Sequence, residues 1–220
     1  MQRRDFSIAT ATLAAASIGG ALTFSSVTYA QGKPPQEGKD YLSLDTPAPT
    51  EAAAGKVEVV EFFWYGCPHC HHFEPQWDAW IKKVPKDVVV RRVPISFRPD
   101  FEPQQRLYYA LEAMGKVDEM QLKVFNAIHV ERLVLTTPEQ IVAWMDKQPG
   151  INKAKFAEAY NSFPVATKAR KGTQLQDQYK VQGVPAIGVA GRFYTDGSQA
   201  GSMERALVVT EYLVAQTRKK

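Results

Sequence analysis

Residues 57–70 read Val57-Glu58-Val59-Val60-Glu61-Phe62-Phe63-Trp64-Tyr65-Gly66-Cys67-Pro68-His69-Cys70. The run from Val57 to Trp64 is apolar on both faces, as a central strand covered by helices on each side should be. From His71 to Val84 the pattern reads as a helix. A strand that empties into Cys-x-x-Cys at the start of a helix is the arrangement of a thiol–disulfide redox site. The other 218 of the 220 residues include no cysteine, so this pair is left to bridge with itself. Such a bridge closes too small a loop to restrict the unfolded chain much, which makes it a poor structural staple. Redox work is the better reading.

Outward from this stretch, Asp87 to Ile95 reads as a second core strand, with Pro94 at its end where no ladder hydrogen bond is needed. From Pro99 to Phe163 the period is helical: Leu107, Leu111 and Met114, then Val117, Met120, Val124 and Ile128. Thr137-Pro138-Glu139-Gln140 is a capping signal, with Thr at N-cap, Pro at N1 and Gln at N3. Asn152 caps a further helix through Phe156 and Tyr160. A helix from Ala166 to Tyr179 leads back to a short strand, Ile187–Ala190. Gly191 turns the chain into Arg192-Phe193-Tyr194, a hairpin, and Ser202 to Thr217 forms a closing helix. This order gives an α/β thioredoxin fold with an all-helical insertion. Residues 31–98 form the first part of the core, 99–165 the insertion and 166–220 the second part. Residues 31–55 open with a segment rich in Gly, Pro, Gln and Lys that is expected to be mobile, followed by a short strand at Tyr41–Leu44 and an Ala-rich loop after Pro47 and Pro49.

The first thirty residues carry Arg3 and Arg4, a mildly apolar stretch from Ile8 to Phe24 and a small-residue site at Thr28-Tyr29-Ala30. That is a signal peptide cut after Ala30, with Arg3-Arg4-Asp5-Phe6 partly resembling a twin-arginine signal. The expected location is therefore outside the cytoplasm, where disulfides persist. A formal charge of +4 falls to +3 once Arg3, Arg4 and Asp5 are removed. So small and scattered a charge excludes a nucleic-acid partner.

The chemistry asks for a thiolate, since a thiolate and not a thiol attacks a disulfide. In the first turn of the helix, free backbone N–H groups and the helix dipole would stabilise a negative Cys67. Cys70, one turn in, is less exposed and suits the resolving role. Pro68 fits N1, and His69 can place an imidazole beside the Cys67 sulfur. Stabilising the Cys67 thiolate stabilises the reduced chain and makes the disulfide a donor. Val184-Pro185 precedes the third core strand, which in a thioredoxin fold lies opposite the Cys-x-x-Cys. A cis bond there would expose the backbone of Val184 to an extended substrate. Glu61, inside an apolar strand, either relays protons for Cys70 with a raised pKa or pairs with a basic neighbour such as Arg92. Glu58, nearer the strand start, is expected at the surface. Trp64 and Tyr65 are expected to line the site, the other tryptophans to be core or partly buried.

Other readings compete. Cys67-Pro68-His69-Cys70-His71 matches the Cys-x-x-Cys-His haem attachment pattern, yet no second axial ligand stands out, His129 being the one histidine outside the 69–72 cluster. Cys67, His69, Cys70, His71 and His72 could hold zinc or copper, but adjacent His71 and His72 point apart, which suits solvation better. An exported binding domain with an incidental disulfide is the reading from a different class, and a reductase or isomerase arm is the alternative on the same fold.

Glu61-Phe62-Phe63-Trp64-Tyr65-Gly66-Cys67-Pro68-His69-Cys70 with Phe73-Glu74, followed by Gly183-Val184-Pro185-Ala186, resembles the DsbA family of periplasmic thiol:disulfide oxidoreductases. The opening Glu37-Gly38-Lys39-Asp40-Tyr41 and the helical insertion are similar too, so the likeness covers the whole mature chain. The resemblance implies that Cys67 forms a mixed disulfide with reduced exported proteins and Cys70 resolves it. It implies a cis Pro185 with Val184 on the substrate, and Glu61 as the family's buried acid. The redox-active disulfide would be the whole cofactor complement, the chain a monomer, and its reoxidant an inner-membrane, quinone-linked partner of the DsbB type. Where relatives tend to carry a lysine near the buried acid, this chain has Arg91-Arg92, which leaves open how the Glu61 charge is balanced. His71-His72 is a second departure, and the second disulfide of some relatives is impossible here.

Overall fold

A computed structural model describes residues 33–218. The signal-peptide reading lies outside them. Residues 35 onward belong to one compact unit.

Five strands make one mixed sheet in the order β1-β5-β4-β2-β3. They are β1 (Leu42–Ser43), β2 (Val57–Phe63), β3 (Val88–Pro94), β4 (Ala186–Val189) and β5 (Phe193–Asp196). β2 and β3 run parallel with Glu61 opposite Arg92, whereas β4 is antiparallel to β2 and to β5. All seven residues of β2 are buried, as its two-sided apolar pattern requires. The pleat sends Val57 and Val59 to a core with Phe73 and Trp77, and Val60 and Phe62 to one with Leu175 and Tyr179.

Helix α1 spans Pro68–Ile81, with Cys67 as its N-cap and Pro68 at N1, and stops three residues short of the Val84 end expected from the sequence. The helical block follows β3: a short 3-10 turn (Pro99–Phe101), then α2 (Glu102–Ala113), α3 (Val117–His129), α4 (Pro138–Met145) and α5 (Lys153–Asn161). Thr137 and Gln140 form a capping box at α4, and Asn152 caps α5, as read from the sequence. α6 (Phe163–Gln178) starts at Ser162, whose side chain accepts from the Val165 amide, so position 165 falls inside this helix rather than before it. A short α7 (Gly197–Ala200), capped by Asp196, precedes α8 (Met203–Thr217). Four residues are too few for a periodic signal, which is why the sequence hid α7.

The segment before β2 is more firmly tied than its composition suggests. The Asp40 carboxylate accepts from the Gln36 amide at 2.8 Å, its carbonyl accepts from Thr195 Oγ1 at 2.8 Å, and β1 pairs with β5.

Candidate active site

The end of β2 delivers Cys67 to the start of α1. Cys67 has extended backbone, φ −87° and ψ 116°, and its sulfur accepts from the Cys70 amide at 3.4 Å. It fills the place that Ser, Thr or Asp holds at other helix starts. Pro68 sits at N1, where no amide donor is missed. Both cysteines are free thiols, Cys67 7% and Cys70 1% exposed.

These environments push the two thiols apart. Cys67 is lowered to about 6, first by the hydrogen bond with the Cys70 thiol; burial opposes this, and the backbone amides of Cys70 and His69 and then the His69 charge assist. Cys70 is pushed well up, chiefly by burial and then by that same bond to Cys67. His69 therefore contributes more through its amide than through its exposed imidazole.

Opposite the pair, the Val184–Pro185 peptide is cis. The Cys67 thiol donates to the Val184 carbonyl at 3.3 Å, so the loop before β4 meets the reactive sulfur directly.

Beneath the pair lies a buried charge network. Glu61 is 1% exposed, and burial raises it to about 8, with Arg92 opposing and Glu74 assisting. Arg92 stands 3.2 Å from Glu61 and 2.6 Å from Glu74. Neither Glu61 oxygen accepts a hydrogen bond of good geometry. Glu74 also receives the Gln121 amide at 3.5 Å, and Gln121 accepts from the Tyr65 hydroxyl at 2.6 Å. Arg92 answers how Glu61 is balanced: one guanidinium is shared between two carboxylates. Sequence reasoning missed the Glu74 role, although its place one turn after Cys70 on α1 was a usable signal.

Several other expectations change. Tyr65 does not line an open site; it is 1% exposed, its ring edge-on to Phe63. Trp64 is half-buried and stacks on Phe101 with ring centroids 3.9 Å apart. His71 is not simply solvated, since it reaches Asn126 at 3.0 Å and stacks on His129. His129 in turn holds the Tyr65 carbonyl at 2.8 Å, bracing the turn before Cys67. Glu58 is not at the surface: it is 2% exposed, accepts from the Glu51 amide at 2.8 Å and pairs with Arg91 at 3.4 Å. Nowhere among the described residues do three or more His, Cys, Asp or Glu side chains gather as a metal would need.

A low-pKa cysteine capping a helix, a buried partner thiol one turn on and a proline loop facing both define a thioredoxin-fold thiol:disulfide oxidoreductase. A family model described as the DSBA-like thioredoxin domain matches residues 58–208. The chain is similar to the thiol:disulfide interchange protein DsbA of Burkholderia cepacia, 41% identical over 87% of this chain and 91% of that one. Its counterpart in Bordetella pertussis is 39% identical over 96% and 97%. The crystal structure of Pseudomonas aeruginosa DsbA superposes with a TM-score of 0.80 at 38% identity, covering 84% of this chain and 95% of that one. The chain belongs to the DsbA family.

Proposed function

We propose that the chain is an exported dithiol oxidase whose Cys67–Cys70 disulfide is given to newly exported proteins in the periplasm. A substrate thiolate attacks Cys67 Sγ, the Cys67–Cys70 bond breaks, and Cys70 leaves as a thiolate that takes up a proton. The second substrate thiolate then attacks the substrate sulfur of the mixed disulfide and expels Cys67 as a thiolate. Two electrons pass to the chain, and the substrate dithiol becomes a disulfide. The observation that carries the direction is the Cys67 thiol, held near 6 by Cys70 and the helix-start amides. A thiol that ionises so readily is a good leaving group, which makes its disulfide oxidising.

In this reading Glu61 supplies and removes the Cys70 proton, since a buried acid near 8 can be protonated or ionised around neutral pH. Val184 presents its backbone to the extended substrate beside Pro185, and Pro68 and His69 shape the helix start. Residues 99–165 serve as a helical insertion in the thioredoxin core. Reoxidation falls to a quinone-linked inner-membrane protein of the DsbB type, and no other cofactor is needed. Export of residues 31–220 after cleavage at Ala30 places the reaction where thiols stay oxidised.

The test uses both single-cysteine variants with a reduced substrate protein. Cys67→Ser abolishes exchange, whereas Cys70→Ser accumulates mixed disulfides. Equal and complete inertness of the two would sink the assignment of roles.

A further inference from the structure

The turn that delivers Cys67 runs from Trp64 to Cys67 and is closed by the Cys67 amide, which donates to the Trp64 carbonyl at 3.0 Å. Tyr65 and Gly66 are its central residues, so the Tyr65–Gly66 peptide is the middle unit of a β-turn. Such a unit can turn over while both ends of the turn stay in place. The type I and type II forms differ chiefly in where the middle carbonyl points, and type II needs a positive φ at the third residue. Glycine meets that need at no steric cost.

Position 66 is glycine for a different reason. A Cβ there would fall inside the Trp64 ring, 2.7 Å from Cε2 and closer still to Cζ2, and that ring is held by its stack on Phe101. Gly66 does not adopt a positive φ. The turn therefore carries the freedom of glycine without using it, one residue before the reactive sulfur.

What removes that freedom comes from outside the core. His129, half-buried at the end of α3, donates from Nε2 to the Tyr65 carbonyl at 2.8 Å. A carbonyl only accepts, so the proton sits on Nε2, where the neutral tautomer and the imidazolium both carry one. The ring is fixed in turn: it lies 5.1 Å from the His71 ring with planes 10° apart, and against Phe125. His71, directly after Cys70, is tied back to α3 through Asn126 at 3.0 Å. Helix α3 thus grips the chain on both sides of the cysteine motif, at Tyr65 before it and at His71 after it.

We propose that His129 is a positioning residue for disulfide exchange: its Nε2–H locks the Tyr65–Gly66 peptide in one orientation and so fixes the place at which the Cys67 sulfur is attacked. The role rests on the redox reading of Cys67 and Cys70. His129 acts through the turn and not on the sulfur. Because both protonation states of the ring donate at Nε2, the brace holds whether or not the ring is charged.

The experiment separates the donor from the ring. His129→Gln keeps an N–H near the Nε2 position and loses the ring; His129→Phe keeps the ring and loses the donor. With the oxidised protein and a reduced dithiol peptide, the Phe variant should donate its disulfide about tenfold more slowly, the order expected when one hydrogen bond stops holding a reacting group in place. The Gln variant should stay within about twofold of the wild type. The Gly66 amide should give a single NMR signal in the wild type and the Gln variant, and a doubled or exchange-broadened one in the Phe variant. Long-range nitrogen spectra of the wild type, which need no variant to fold, should show neutral His129 protonated at Nε2. A normal rate for Phe with a slow one for Gln would leave only ring packing and overturn the proposal. So would a proton on Nδ1, or a Gly66 signal unchanged in the Phe variant. A wild type that donated no disulfide would sink the redox reading itself, an outcome separate from any contrast between the variants.

Discussion

Strand β2 carries two buried glutamates three residues apart, and they live in different worlds. Glu58 faces the α6 side, with one oxygen accepting the Glu51 amide and the other beside Arg91, which Glu51 also holds. Glu61 faces the α1 side beneath the cysteines, where it shares Arg92 with Glu74 and accepts no hydrogen bond. The same residue type on the same strand thus has one oxygen hydrogen-bonded and the other only ion-paired at one end, and neither oxygen hydrogen-bonded at the other. Glu61 shows what burial with too few partners does to a carboxylate: its proton stays in play near neutral pH.

Removing the hydrogen-bonded carboxylate should show the largest effect on stability. Glu58→Ala takes the acceptor from the Glu51 amide and the buried partner from Arg91, which Glu51 still holds, and should cost about 1–3 kcal/mol. Thermal unfolding should fall by roughly 5 °C for a domain of this size, while the surviving folded protein exchanges disulfides at the normal rate. A loss below about 1 kcal/mol would remove the contrast between the two ends. Glu61→Gln should show itself in rate, slowing the proton-coupled exchange roughly tenfold or more at pH 7 in stopped-flow traces.

The pH dependence sharpens the same contrast. The folded chain holds the Glu61 proton to about 8, whereas the unfolded chain releases it near about 4.3. Between those values the folded state binds more protons, so stability contributed by protonated Glu61 is complete below about pH 4.3 and is lost as pH rises through 8. Denaturant titrations should therefore show Glu61→Gln gaining on the wild type from pH 5 to pH 8, then running parallel to it. A gap that stays constant with pH would mean that Glu61 is ionised throughout. The smallest expected effect lies at the sulfur. Thiolate absorbance near 240 nm should titrate at about 6 in the reduced protein. Cys70→Ala should move that value upward by more than His69→Ala, because the Cys70 thiol is the leading cause and the His69 charge the least.

Much of this was legible in the chain itself, wherever the signal was local. The cysteine motif, the capping box at Thr137, the Asn152 cap and the Gly191 hairpin each depend on residues a few positions apart. What stayed hidden depends on distant pairings. Glu58 looked like a surface residue because its partner Arg91 arrives from another strand. The sharing of Arg92 between Glu61 and Glu74 joins β2, β3 and α1: the spacing from Cys70 marks Glu74, but not the arginine that reaches it from another strand. His71 looked solvated because its neighbours, Asn126 and His129, sit more than fifty residues away on α3. Tyr65 shows the same gap: its hydroxyl reaches Gln121, which turns it from a site-lining ring into a core one.

The outer strands of the sheet have a consequence for the company this protein keeps. An open strand edge is a template on which another chain can add itself, and unfolded chains are rich in segments ready to do so. Here β1, on one side, is two residues long. β3, on the other, ends in Pro94, which has no amide to offer, and places Arg91 and Arg92 side by side just before it. A thiol:disulfide oxidoreductase that acts on other proteins thereby offers them little open edge on which to add a strand.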